Sequence, residues 1–178
     1  MKNNSKIIAI ASVSGGGKTA ITNQLKQILP NSISLHFDDY IFDGDVRNYE
    51  EWMKNGADFN VWDLSPLKLD LDRLISNGKY QFIILDYPMA YKNDLIKPYI
   101  DFAIYIDTPL DVAMARRVLR DMLTIDEVRA EMDGYLRYAR RAYQVTLDVI
   151  RPNSDFVVDG TQTIQKIAEL IKTKVEKI

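Results

Sequence analysis

Apolar residues fall along this chain in two rhythms. Short unbroken runs at Ile7-Ile8-Ala9-Ile10-Ala11, Phe82-Ile83-Ile84-Leu85 and Phe102-Ala103-Ile104-Tyr105-Ile106 carry the mark of strands buried on both faces of a parallel sheet. Elsewhere the spacing is helical: Ile21, Leu25, Ile28 and Leu29; Leu67, Leu71, Leu74 and Ile75; Ile164, Ile167, Ala168, Ile171 and Val175. After the stop at Leu29-Pro30-Asn31, Ser32 to His36 reads as a short strand, and Phe156 to Val158 as the last one. Residues 43 to 63 read as irregular, with one helical turn around Tyr49 to Lys54. Ser65 is the expected N-cap of the next helix, with Pro66 at its first position and Asn77-Gly78 ending it. Thr108-Pro109-Leu110-Asp111 predicts a helix start running to about Leu123. Thr124 to Glu127 forms a capping box, opening a long helix to about Ile150.

Strands alternating with helices predict an α/β fold: a parallel sheet of about five strands with helices on both faces. Right-handed crossovers place every strand C-terminus on one rim, where ligands bind. At 178 residues without repeats, the chain 1–178 reads as a single domain.

Composition changes this picture by exclusion. The chain is 47% hydrophobic and 27% charged, an ordinary globular balance. A net charge of −2 gives no basic field for nucleic acid or an anionic membrane, so neither is expected as a partner. There is no cysteine, which rules out disulfides, thiolate metal sites and cysteine nucleophiles. The first apolar run is too short for a signal or membrane segment, and a soluble cytoplasmic protein is expected.

The chemistry is densest at Ser12-Val13-Ser14-Gly15-Gly16-Gly17-Lys18-Thr19, between the first strand and the first helix. That is the setting of a phosphate-binding loop. Three glycines let backbone N–H groups approach phosphate oxygens, and the helix N-terminus adds partial positive charge. Lys18 is placed to reach the β- and γ-phosphates, and the Thr19 hydroxyl to ligate Mg²⁺. Ser14, Gly15, Gly16, Gly17, Lys18, Thr19 and Ala20 are the candidate residues for binding ATP. One departure stands out: the pattern G-x-x-x-x-G-K-[ST] asks for glycine where this chain has Ser12.

Further candidates gather on the rim. Asp86 ends a buried strand, the usual place of an acid that holds Mg²⁺ directly or through water. Asp38 and Asp39 end the second strand, near where an acceptor hydroxyl would meet the γ-phosphate. Alternate residues face opposite ways, so the sequence does not choose between them. Eight of the ten arginines lie between positions 116 and 151. The group Arg116, Arg117 and Arg120 suits charge developing on a transferring phosphoryl group. His36 reads as a satisfied strand residue without a relay partner. The Tyr and Trp residues between 40 and 63 either stack on a base, close an acceptor pocket or cover the sheet edge.

With these residues in view, the chain resembles the uridine kinase and nicotinamide riboside kinase group of P-loop kinases. The likeness spans most of the chain and is most specific in SVSGGGKT at 12–19, HFDDY at 36–40, FIILD at 82–86 and DTPLDVAMARRVLRD at 107–121. YLRYARRAY at 135–143 looks like the long helix that follows the family's lid. The resemblance implies a P-loop NTPase-type sheet with a short arginine-rich helical lid at approximately 114–126, and Asp38 as base to the acceptor hydroxyl. It also implies Asp86 at Mg²⁺, and a substrate site drawing on Asp39, Tyr40, Asp58 and Asn60. Here the sequence departs from the family pattern, offering Asn60 where an aspartate binds the ribose hydroxyls, with Asp58 two residues away. The expected activity is transfer of the γ-phosphoryl group of ATP, with Mg²⁺, to a small-molecule alcohol, by a monomer or homo-oligomer. Alternatives are a nucleotide-binding switch, or a kinase for a non-nucleoside acceptor such as a pantothenate-like alcohol.

Overall fold

The structure, a computed structural model, describes residues 5–44 and 49–178. Met1 to Asn4 and residues 45–48 of the predicted irregular segment lie outside the described residues. The strands are β1 (Lys6–Ala11), β2 (Ser32–His36), β3 (Phe82–Asp86), β4 (Phe102–Asp107) and β5 (Phe156–Asp159). All pair in parallel, in the order β2-β3-β1-β4-β5. β1 is therefore central, and the loop leaving it emerges mid-rim, flanked by the ends of β3 and β4.

Side chains alternate across the sheet. Ile7, Ala9 and Ala11 join one core, and Ile8 and Ile10 the other. Helices α1 (Lys18–Ile28) and α7 (Ile164–Val175) cover the second face with Ile21, Leu25, Ile167, Ala168, Ile171 and Val175. Ile164, expected in that stripe, is 42% exposed and stands at the first position of the helix. The first face is covered by α2 (Tyr49–Lys54), which contributes Trp52, and α3 (Ser65–Asn77), together with Phe59 and Trp62 of the intervening segment. Both faces are closed, as the apolar runs predict.

Two caps differ from expectation. Ser65 is the first residue of α3, not its cap, and its backbone N–H and hydroxyl both donate to Asp63 Oδ1. Thr108 does not cap α4 (Leu110–Asp121): it is buried, and its hydroxyl donates to the Gly16 carbonyl at 2.9 Å. That bond ties the end of β4 to the loop after β1. α4 ends at Asp121, because Met122 turns to extended backbone with φ −105° and ψ 128°. The Thr124–Glu127 capping box forms as predicted and opens α5 (Ile125–Gly134). The helical path then continues through a π-turn at Tyr135–Ala139, α6 (Arg140–Val145) and a second π-turn at Thr146–Ile150. Such wide turns occur often at functional sites. Among the described residues, no helix is long and apolar enough to cross a membrane.

Candidate active site

The loop between β1 and α1 is built around its glycines. Gly15 has φ +78° and Gly17 φ +102°, conformations that favour glycine. A Cβ on Gly15 would fall on the Ala113 carbonyl of α4, so the loop and that helix are in direct contact. Ser12, standing at the motif's first glycine position, is 2% exposed and its hydroxyl donates to the Val13 carbonyl at 2.9 Å. Its side chain lies against Gly16, where a Cβ would collide with it. The substitution is absorbed by glycine on the facing side of the turn. Gly17 leads into α1, and a Cβ there would meet nothing within 4 Å. The helix N-terminus is thus an open concavity of backbone N–H groups, suited to a polyphosphate.

At the base of the loop, Thr19 and Asp86 meet. The Thr19 hydroxyl donates to Asp86 Oδ2 at 2.6 Å, and Asp86 is 4% exposed. His36 Nδ1 lies 3.2 Å from the same oxygen, and His36 Nε2 lies 3.0 Å from Ser34 Oγ. The pairing register explains this: His36 stands directly opposite Asp86 in the β2–β3 ladder. Sequence reasoning missed this relay because register is invisible before strands are paired. A hydroxyl and a carboxylate side by side form a hard-oxygen donor set. They fit Mg²⁺, which commonly takes one or two protein oxygens and keeps waters. Among the described residues, no cluster of three or more His, Asp or Glu forms a fuller metal cage.

Above the loop lies a cavity of about 420 Å³. Ser12, Val13, Ser14 and Lys18 line it from the loop, Asp38 from the turn after β2, and Arg117 from α4. Tyr49, Trp52, Phe59 and Trp62 supply an aromatic wall, while Ala139, Ala142, Tyr143 and Thr146 descend from the long helix. The last four recur at i, i+3, i+4 and i+7, the helical signal that could have revealed them. Asp38 lines the cavity and Asp39 does not. The two acids were equivalent in sequence; the 3₁₀ turn at Phe37–Asp39 points them differently.

The three arginines part company. Arg117 is half-buried, donates to the Tyr143 hydroxyl and pairs with Glu131 at 3.2 Å, pinning α4 to the helical path above. Arg116 donates to the Gly160 carbonyl at 3.1 Å, beyond the end of β5. Arg120 grips Asp121 through two bonds of 2.6 and 2.8 Å, and the charge of Asp38 also acts on it. Those interactions, led by the Asp121 bond, raise its pKa above the ordinary arginine value. Only Arg117 of the three lines the cavity.

The remaining substrate-site candidates lie elsewhere. The Tyr40 hydroxyl donates to Asp70 at 3.1 Å; burial, followed by that bond, pushes its pKa up to about 12. Asp58 accepts from the Asn60 backbone at 2.9 Å and from its side-chain amide at 3.1 Å. Asn60 in turn bonds Asp94 in both directions. None of Asp39, Tyr40, Asp58 and Asn60 lines the cavity. Ala20 is exposed on the first turn of α1.

Fold, loop and rim acids together define a P-loop protein. No protein-family model matches the chain. Its sequence is 27% identical to the uridine kinase of Borrelia hermsii, the alignment covering 86% of this chain and 85% of that protein. It is 25% identical to the uridine kinase of Borrelia duttonii, with 96% of each covered. It is 24% identical to the uridine kinase of Staphylococcus epidermidis, covering 99% and 98%. Among solved structures, a protein from Eubacterium ventriosum superposes with a TM-score of 0.59 at 14% identity, covering 98% and 99%. One from Thermus thermophilus superposes with a TM-score of 0.58 at 15% identity, covering 98% of each; at this identity these two speak for the fold alone. The likeness to uridine kinase-type P-loop kinases thus runs along most of the chain, and a P-loop kinase is the class it supports.

Proposed function

We propose that this protein is an ATP- and Mg²⁺-dependent kinase that transfers the γ-phosphoryl group to the hydroxyl of a nucleoside or nucleoside-like alcohol. One observation carries the reading: Lys18, which would meet the phosphates, and Asp38, which would meet the alcohol, line the same cavity. The names of the sequence relatives point the same way.

In this reading the loop amides and Lys18 hold the polyphosphate, and Thr19 and Asp86 hold the cation. The cation, when bound, neutralises charge building on the β- and γ-oxygens. Asp38 accepts the hydroxyl proton as the alcohol oxygen forms its bond to the γ-phosphorus. The bond from that phosphorus to the β–γ bridging oxygen breaks, and ADP leaves. Arg117, held in place by Tyr143 and Glu131, supplies fixed positive charge beside the transferring group. The segment from α4 into α5, approximately 114–126, serves as the lid over the phosphates, and the chain works as a single domain.

The test is ADP release from ATP and Mg²⁺ across a panel of nucleosides, pantothenate-like alcohols and sugar alcohols. Stimulation by nucleosides is the expected result. Slow hydrolysis that no alcohol stimulates would favour a nucleotide switch.

A further inference from the structure

The cavity has two unlike walls. One is aromatic and fixed. The Trp52 ring lies edge-on to Phe59 and Trp62, with centroids 5.2 and 5.6 Å away. Phe59 and Trp62 are near parallel at 27°. The Trp52 indole N–H donates to the Asp58 carbonyl at 2.7 Å. The buried Asn93 amide donates to the carbonyls of Phe59 and Trp62 at 3.0 and 3.2 Å. The other wall is the long helix, which presents Ala139 and Ala142 to the same cavity and packs against α2. Small side chains opposite rigid rings leave a flat slot.

The slot has few charges. Among the described residues, Asp38 is the one carboxylate that lines the cavity. The carboxylates adjacent in sequence to the aromatic wall, Glu50, Glu51, Asp58 and Asp63, do not line the cavity; Asp58 is exposed and bonded to Asn60, as is Asp94. The bonds through Asn60 fasten the segment around Phe59 to Asp94.

Building on the kinase reading, we infer that the acceptor is held by a flat ring in this slot and gripped at one hydroxyl only, the one facing Asp38. A vicinal diol on the acceptor then goes unread. Ring-bearing alcohols that lack it are taken as readily as those that carry it. A diol read by a buried carboxylate would contribute roughly tenfold to a hundredfold in affinity, whereas stacking and burial of ring faces are indifferent to it.

The experiment measures equilibrium binding of uridine and of dideoxyuridine, which lacks both ring hydroxyls, to the full chain with ADP and Mg²⁺. The two dissociation constants should agree within about threefold, since an exposed hydroxyl has little net effect. Ala142→Leu, which fills the slot, should weaken both by more than roughly tenfold while ADP affinity and melting temperature stay near wild type. Should that variant melt early, Ala139→Leu on the same stripe replaces it. Uridine binding more than roughly tenfold tighter than dideoxyuridine, failure of both to bind, or undiminished binding in the folded slot variant would each overturn the inference. Acceptor-dependent ADP release is read separately. Both ligands binding through the slot without ADP release would sink phosphoryl transfer and leave the ring slot standing.

Discussion

The Thr19 hydroxyl donates to Asp86 Oδ2 at 2.6 Å, fastening the first turn of α1 to the end of β3. Both groups carry oxygen donors, and Asp86 is buried, so its charge meets little competing water. Asp86→Asn removes the charge and keeps the shape. The Mg²⁺ concentration needed for half-maximal activity should rise by roughly tenfold or more. An identical Mg²⁺ titration would return Asp86 to a purely structural role.

His36 approaches that same oxygen at 3.2 Å, braced by Ser34. It orients the carboxylate from behind, as outer partners do around metal ligands, where their loss commonly costs roughly 10- to 100-fold in metal affinity. His36→Ala should therefore weaken Mg²⁺ binding, and His36→Asn, which keeps a donor, should recover part of it. Isothermal titration of Mg²⁺ in the presence of ADP separates the two; equal affinity in both variants and wild type would dismiss the bracing role.

Lys18→Ala removes a half-buried cation that lines the cavity. Turnover should drop by roughly 10²- to 10³-fold, the scale of losing one transition-state charge partner, while the melting temperature holds. Of the lid arginines, Arg117→Ala should lose most, because it alone lines the cavity and also holds Tyr143 and Glu131. Arg116→Ala and Arg120→Ala should stay within about tenfold of wild type, since Arg116 serves a backbone carbonyl and Arg120 an exposed ion pair. Steady-state kinetics on the three variants decides the order.

Alkaline titration offers a check on packing. Tyr40 is raised to about 12 by burial first, with its bond to Asp70 second. Burial pushes Tyr87, Tyr91 and Tyr105 up as well. These groups bind their protons more tightly folded than unfolded. Their stabilisation is therefore full below the unfolded value of 10.0 and, for Tyr40, lost as pH rises through about 12. Ultraviolet titration of tyrosinate should show part of the ten tyrosines silent past pH ~10, ionising when urea unfolds the chain. All ten ionising together near pH ~10 would contradict the packing.

What the sequence revealed follows a physical divide. Period and punctuation are local, so the strands around β1, the phosphate loop and the Thr124–Glu127 capping box were legible from neighbouring residues. Caps were less so: Thr108 looks like an N-cap, yet its hydroxyl is taken by Gly16, 92 residues away. The His36–Asp86 contact depends on register, and the split among Arg116, Arg117 and Arg120 on which way a helix faces. Neither is written in spacing alone. Tyr40, Asp58 and Asn60 carry the right chemistry in sequence, but in the fold Tyr40 bonds Asp70, Asp58 bonds Asn60, Asn60 also bonds Asp94, and none of the three lines the cavity.

In the proposed reaction Asp38 takes the proton from the acceptor alcohol. Asp38→Asn preserves shape and removes the base. Measured on one preparation, acceptor-dependent turnover should fall by roughly 10²- to 10⁴-fold, while ATP affinity stays within a few-fold of wild type. Turnover near wild type would rule out Asp38 as the base, as would parallel loss of ATP binding.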